Sequence, residues 1–232
     1  MLGRVVCAAS VKRWGALLVV SGIGCLSGCA ADEPVPAPTL VWVDGEPDGP
    51  LESDPWVRAV RAGSLAEVVA LNSADFSGED LLVTWDRFRI RSFANDVRGD
   101  AMHGRAEVFL GPRPFTPLTV ETTEDGRRAE VVGCADAFEK VQEVPRSDGN
   151  RWPMVLTYFM DLSEDGHRRI RGAGAYATPY PLPDGTALTV EHCDTVLIKR
   201  AVLDPPPDLG TLAAKSRDDV VLPPSPSPTP GS

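Results

Sequence analysis

The sequence predicts an α+β domain, and three observations predict it. Apolar residues recur at helical spacing between Trp56 and Val97 and then alternate in strand fashion from Arg105 onward. Asp-Gly turn signals at Asp125-Gly126 and Asp165-Gly166 separate the alternating runs. Both ends lack periodicity, which leaves about 180 residues between Val41 and Leu222 for one core. Helices first and antiparallel strands after them define the class.

The helices come first. Asp54 can cap and Pro55 suits a first turn, so a helix starts there and carries Trp56, Val60, Leu65, Val68, Val69 and Leu71 on one stripe. Gly63-Ser64 interrupts the stripe, and Ser64-x-x-Glu67 has the form of a capping box, so two short helices are expected. A further helix is expected from Ser77 to about Arg98, with Leu81, Leu82, Trp85 and Phe88 facing inward. The strands follow at residues 106–110, 116–123, 127–138, 152–162, 167–177, 187–192 and 195–202.

The first 28 residues read as a secretory leader: a basic start ending at Lys12-Arg13, then an apolar run from Trp14 to Gly24. That run is about half the ~20 residues a permanent membrane helix needs. It ends in Leu26-Ser27-Gly28-Cys29, which resembles the lipobox of bacterial lipoproteins at all four positions. Small residues before the cysteine let a peptidase close on the bond, and a thiolate attacks a diacylglyceryl donor better than a hydroxyl does. The resemblance implies lipidation at Cys29 with palmitate-like acyl chains. It places the protein on the extracytoplasmic face of the cell membrane, with the membrane itself as a partner.

The expected organisation is therefore residues 1–28 as signal peptide, 29–41 as lipidated cysteine and Pro/Ala-rich tether, 42–210 as globular domain, and 211–232 as a flexible Pro/Ser-rich tail. Removing the leader takes away three basic groups and no acid, leaving 20 basic against 33 acidic residues, a net charge of −13. Such a field repels a phosphate backbone, which sets nucleic acid aside as a partner. Cys134 and Cys193 remain as an even pair in an oxidising setting and are expected to form a disulfide.

At Gly111-Pro112-Arg113-Pro114-Phe115-Thr116-Pro117-Leu118 and at Pro55-Trp56-Val57 the chain resembles small secreted lipoproteins of high-GC Gram-positive bacteria. Several of these are similar to the nuclear transport factor 2-like superfamily. The resemblance spans roughly residues 54–200 and implies a cone, with N-terminal helices packed in a curved antiparallel sheet. It implies a non-enzymatic domain of the cell envelope, whose cone mouth holds a small apolar ligand or an envelope protein. The alternative is a cone-fold isomerase- or dehydratase-like enzyme using a His-Asp pair, His103 with Asp100 or Asp161, to abstract an acidic proton.

Other candidates read more plainly. His167 stands beside a hairpin turn and His192 precedes Cys193. Asp44, Glu46 and Asp48 resemble the start of a calcium loop, but Pro55 holds the position that needs a bidentate Glu. No metal or cofactor is expected. Arg87, Arg89 and Arg91 form the one concentrated basic stretch, read as pairing with surface acids or binding an anionic head group. Trp152, Tyr158, Met160 and Tyr176 are read as core or cavity lining.

Overall fold

The computed structural model describes residues 38–142, 152–175 and 179–225. Helix α1 (Pro55–Ser73) starts as its sequence directs: the Asp54 side chain accepts from the Trp56 and Val57 amides at 2.7 and 3.3 Å, and Pro55 sits in the first turn. The helix then runs unbroken through Gly63-Ser64, so the expected division into two is corrected. The reason is packing. The Trp85 indole donates to the Gly63 carbonyl at 2.9 Å, and a Cβ on Gly63 would lie 2.6 Å from Ile170 Cδ1. Glycine serves close approach here and not interruption.

Helices α2 (Glu79–Thr84) and α3 (Arg87–Met102) replace the single helix expected from Ser77. Trp85 between them is extended and bridges Ile170, while the Asp86 carboxylate caps α3 by accepting from the Phe88 amide at 2.9 Å. The break turns Phe88 outward, 75% exposed, where an inward position was expected.

The strands are β1 (Thr39–Trp42), β2 (Glu107–Phe109), β3 (Phe115–Thr122), β4 (Arg128–Ala135), β5 (Lys140–Gln142), β6 (Met154–Leu162), β7 (Arg168–Ala175), β8 (Tyr180–Pro181), β9 (Ala187–Leu188) and β10 (Ala201–Asp204). Four of them form an antiparallel sheet in the order β3-β4-β6-β7, and β1-β10, β2-β5 and β8-β9 pair separately. The two main hairpins turn at Gly126 and Gly166, both at positive φ. Asp125 and Asp165 hold these turns by accepting from the Arg127 and His167 amides at 3.0 and 3.1 Å.

The expected α+β cone is overturned. The chain is sheet-rich, with five helices among the described residues, only two of them longer than six residues. Its strands divide into one four-stranded sheet and three two-stranded ones, where a cone needs a single curved sheet around the helices. The four-stranded sheet is buried on both faces. Val131, Tyr158, Met160 and Ile170 meet Trp56, Val60 and Ile90 from the helices on one side. On the other side Val132, Cys134 and Val155 meet Leu188, Cys193 and Ile198.

That second cover depends on helix α4 (Val190–Thr195), which forms where a strand was expected to reach His192. The Thr189 hydroxyl caps it by accepting from the His192 amide at 3.2 Å. Its turn presents Cys193 to Cys134, and the expected disulfide is present with its sulfurs 2.05 Å apart.

Past β10, helix α5 (Leu209–Ala213) and a 3-10 turn at Arg217–Asp219 lie within residues 211–232 or just before them, in and beside the expected tail. There Leu212 and Val220 are buried against the main core, because Asp75 bridges Val221 and holds this segment beside the end of α1. At the other end β1 begins inside the expected tether and pairs with β10. The leader, Cys29 and residues 226–232 lie outside the described residues.

The disulfide closes a loop of 59 residues between the sheet and its second cover. A Cys134→Ala/Cys193→Ala double variant is expected to lose about 2–4 kcal/mol of stability, read from the midpoint of urea unfolding. A midpoint equal to that of the wild type would contradict this.

Candidate functional site

The chain between β2 and β3 builds one wall of a cleft. The Leu203 amide donates to the Leu110 carbonyl at 2.7 Å, which draws this segment against β10. Gly111 permits the approach, since a Cβ there would lie 1.9 Å from the Ala201 carbonyl oxygen. No side chain fits that space without moving backbone. Pro112, Arg113 and Pro114 then face Leu40 and Trp42 of β1 across a cleft of about 110 Å³. Arg61 and Ser64 of α1 form its floor, and Glu52 and Lys199 stand at its sides.

The cations of this cleft differ in how far they are satisfied. Arg61 is fully engaged: it donates to Glu52 at 2.6 and 3.1 Å and to the Phe115 carbonyl at 2.9 Å, and it lies 5.6 Å from the Trp42 ring. Lys199 donates to Asp48 at 2.7 Å and to the Glu46 carbonyl at 2.6 Å. Arg113 has no such partner. Its guanidinium stacks on the Phe138 ring at 4.1 Å and donates to the Met154 sulfur at 3.8 Å. Among the described residues no carboxylate lies within ion-pair distance of it.

Behind the floor lies a polar cluster in the core. Ser64 and Glu67 are one helical turn apart on α1, the same pair whose spacing resembles a capping box. Because α1 is continuous, they cap nothing and face the sheet. Ser64 is within hydrogen-bonding reach of the Tyr158 hydroxyl. Burial pushes the Tyr158 hydroxyl above its ordinary pKa of 10, and the nearby Glu67 charge adds to that.

Glu67 itself is half-buried by exposure. Enough protein surrounds its carboxyl that desolvation lifts it from an ordinary 4.5 to about 7, against the pull of Arg113 and Arg89. Sequence reading missed this group. The available signal was an acid on the apolar stripe, in register with Val60 and Ser64 and followed by Leu71.

The residues singled out from sequence are scattered. Asp100 pairs with Arg105 at 2.7 Å, beside a separate cavity of about 140 Å³ between α1, α3, β2 and α5. His103 ends α3, exposed, with its amide bonded to the Asp100 carbonyl at 2.9 Å. Asp161 lies on β6, paired with Arg171 at 3.1 Å and Arg128 at 3.7 Å. So both carboxylates considered for His103 are held by guanidinium groups. His167 is exposed and His192 half-buried, the latter close enough to Asp184 to help lower its carboxyl.

Arg87 and Arg91 are exposed, whereas Arg89 turns inward over Gly172. Tyr158 and Met160 are core, Trp152 is 61% exposed, and Tyr176 lies outside the described residues. In the calcium-like loop Asp44 is held by Arg200 at 3.1 Å and Asp48 by Lys199, and these hydrogen bonds lower both carboxyls. Among the described residues no group of three or more His, Cys, Asp and Glu side chains could hold a metal ion. Nor is any helix there long and apolar enough to cross a membrane.

No protein-family model matches the chain, and no curated protein does. Among solved structures, the crystal structure of the intermembrane space region of the chloroplast protein ARC6 is similar to it at 12% identity. That likeness covers 57% of this chain and 100% of that one, with a TM-score of 0.33. A likeness of this size carries no argument about fold or function.

The raised Glu67 carboxyl has a signed consequence for stability. Between pH 4.5 and about 7 the folded chain holds this proton while the unfolded chain has released it, so stability falls as pH rises through that window. Glu67→Gln is expected to remove the fall and to stabilise the protein above the window by about 1–3 kcal/mol. Thermal unfolding of both proteins at the two ends of the window measures it. A gain of equal size at both ends would show that Glu67 titrates normally.

Proposed function

We propose that the protein is an exported lipoprotein, held by a diacylglyceryl group on Cys29 at the extracytoplasmic face of the cell membrane. Its domain binds a small ligand in the cleft between β1, α1 and the Gly111–Pro114 segment, and performs no chemistry on it. The observation that carries the binding reading is the cleft itself, whose lining includes the half-buried Arg113, a cation with no carboxylate within ion-pair distance among the described residues. A half-buried charge that makes no direct ion pair costs free energy that a ligand can recover.

Two further facts support binding over proton abstraction. The two carboxylates considered for His103, Asp100 and Asp161, are instead paired with Arg105 and Arg171. The Glu67 carboxyl, pushed up to about 7, lies near the Tyr158 hydroxyl and a cation, a setting that shapes affinity. The anchoring reading rests on Leu26-Ser27-Gly28-Cys29 directly after an apolar run, and the disulfide accords with an oxidising compartment.

Anchoring is tested by metabolic labelling with a fatty-acid analogue: the wild type takes up label and Cys29→Ser does not. Equal labelling of the two defeats the anchor. Binding is tested by titrating a fragment library into the isotope-labelled full-length protein and following the indole signals. Perturbation is expected to gather on Trp42. Perturbation confined to other indoles, or to none, argues against the cleft.

A further inference from the structure

We infer that the cavity between α1, α3, β2 and the C-terminal segment is a second binding site. It takes a small uncharged apolar molecule and, when filled, fastens that segment to the domain. It shares no residue with the cleft described above and does not rest on that reading.

The ligand's size and apolar character follow from the walls. Leu71 and Ala74 line the cavity from α1, Val97 and Ala101 from α3, and Ala106 and Phe109 from the chain at β2. Leu71, Val97 and Ala106 pack on the main core yet are only half-buried, so apolar surface remains for a ligand to cover. The volume is about 140 Å³. A cavity of ~150 Å³ with such walls admits benzene, so a single ring or a short branched hydrocarbon fits here. Asp96 and Arg105, both exposed, mark the side on which the cavity meets solvent and a ligand enters.

The absence of charge on the ligand follows from the ionic groups of the lining, which cancel. Asp100 is paired with Arg105 at 2.7 Å and Glu107 with Lys140 at 2.6 Å. Asp96 and Lys215 remain, one of each sign. A charged ligand would meet no net counter-charge and would lose hydration against apolar walls, which costs free energy. An uncharged one gains dispersion contacts without that cost.

The fastening follows from the fourth wall. Leu212 of α5 and Val220, just past the 3-10 turn, cover the cavity from the C-terminal side and are 8% and 6% exposed. The elements that carry them are short and capped from within the segment, α5 by Asp208 and the turn by Ser216 and Asp219. The segment's backbone is tied to the domain at Val221, whose amide donates to the Ala74 carbonyl at 2.9 Å and whose carbonyl accepts from the Phe76 amide at 3.0 Å. A molecule held between Leu212 and Val220 on one side and Val97 and Phe109 on the other adds apolar contact across that seam. Release of the segment then requires release of the ligand.

The test uses the isotope-labelled full-length protein and three probes built on one ring: toluene, benzoate and benzylammonium. The methyl signals of Leu71, Val97, Leu212 and Val220 report binding. Toluene is expected to move them and to bind at least about tenfold more tightly than either ion. At about ten times its dissociation constant it slows hydrogen exchange of the Leu212 and Val221 amides about tenfold. Ala101→Leu and Ala106→Leu each fill the space and abolish binding, and if one of them fails to fold the other decides. Toluene binding retained in a folded variant of this pair, or a shift confined to Trp42, overturns the site. Either ion binding as tightly as toluene overturns the uncharged class. Exchange unchanged at saturation overturns the fastening of the segment. If no methyl group of the lining moves, the site falls, while the cleft reading, reported by Trp42, is judged separately.

Discussion

The contact among Gly63, Trp85 and Ile170 governs how the helices lie on the sheet. The indole reaches across to a carbonyl in the middle of α1, and the Ile170 side chain fills the space a Cβ would have taken. Three elements distant in sequence are locked by one missing methyl group. Helix α1 stays continuous because its carbonyl at Gly63 gains a buried partner while its own ladder persists. The same contact holds Trp85 extended, which ends α2 and lets Asp86 start α3.

The continuity of α1 decides the chemistry behind the cleft. A helix broken at Gly63-Ser64 would have turned Ser64 and Glu67 to its new end, where both would meet backbone amides and water. In the unbroken helix Ser64 is buried against Tyr158, and the half-buried Glu67 lies near enough for its charge to act on the same hydroxyl. A carboxyl placed there is held against its preference for water, which is why it keeps its proton to about neutral pH. Such a site lowers stability, and it persists where something else is gained from it.

The opposite face of the sheet is closed by different means. Short strands and a six-residue helix cover it, and the Cys134–Cys193 bond ties that cover to β4. Covering both faces of four strands leaves no single curved sheet to wrap the helices, and the cleft lies at the edge, where β1 and β10 meet the Gly111 segment. Charge follows the same division. Acids dominate the chain as a whole, while the cleft gathers three cations from three separate segments.

Consecutive residues determined whatever depends on near neighbours: the Asp54 cap and the Asp125-Gly126 and Asp165-Gly166 turns. Each is settled within three or four positions, where spacing in the chain equals spacing in the molecule. The pairing of Cys134 with Cys193 was legible for a different reason, because they are the two thiols beyond the expected leader and lipidation position and so admit a single partner choice. Tertiary structure alone decided that Gly63 joins and does not break, that the strands divide among four sheets, and that Arg113 comes to lie near Glu67. Those outcomes turn on contacts between segments far apart in sequence. There a close approach or an unpaired charge is a property of the packed core, and no local pattern encodes it.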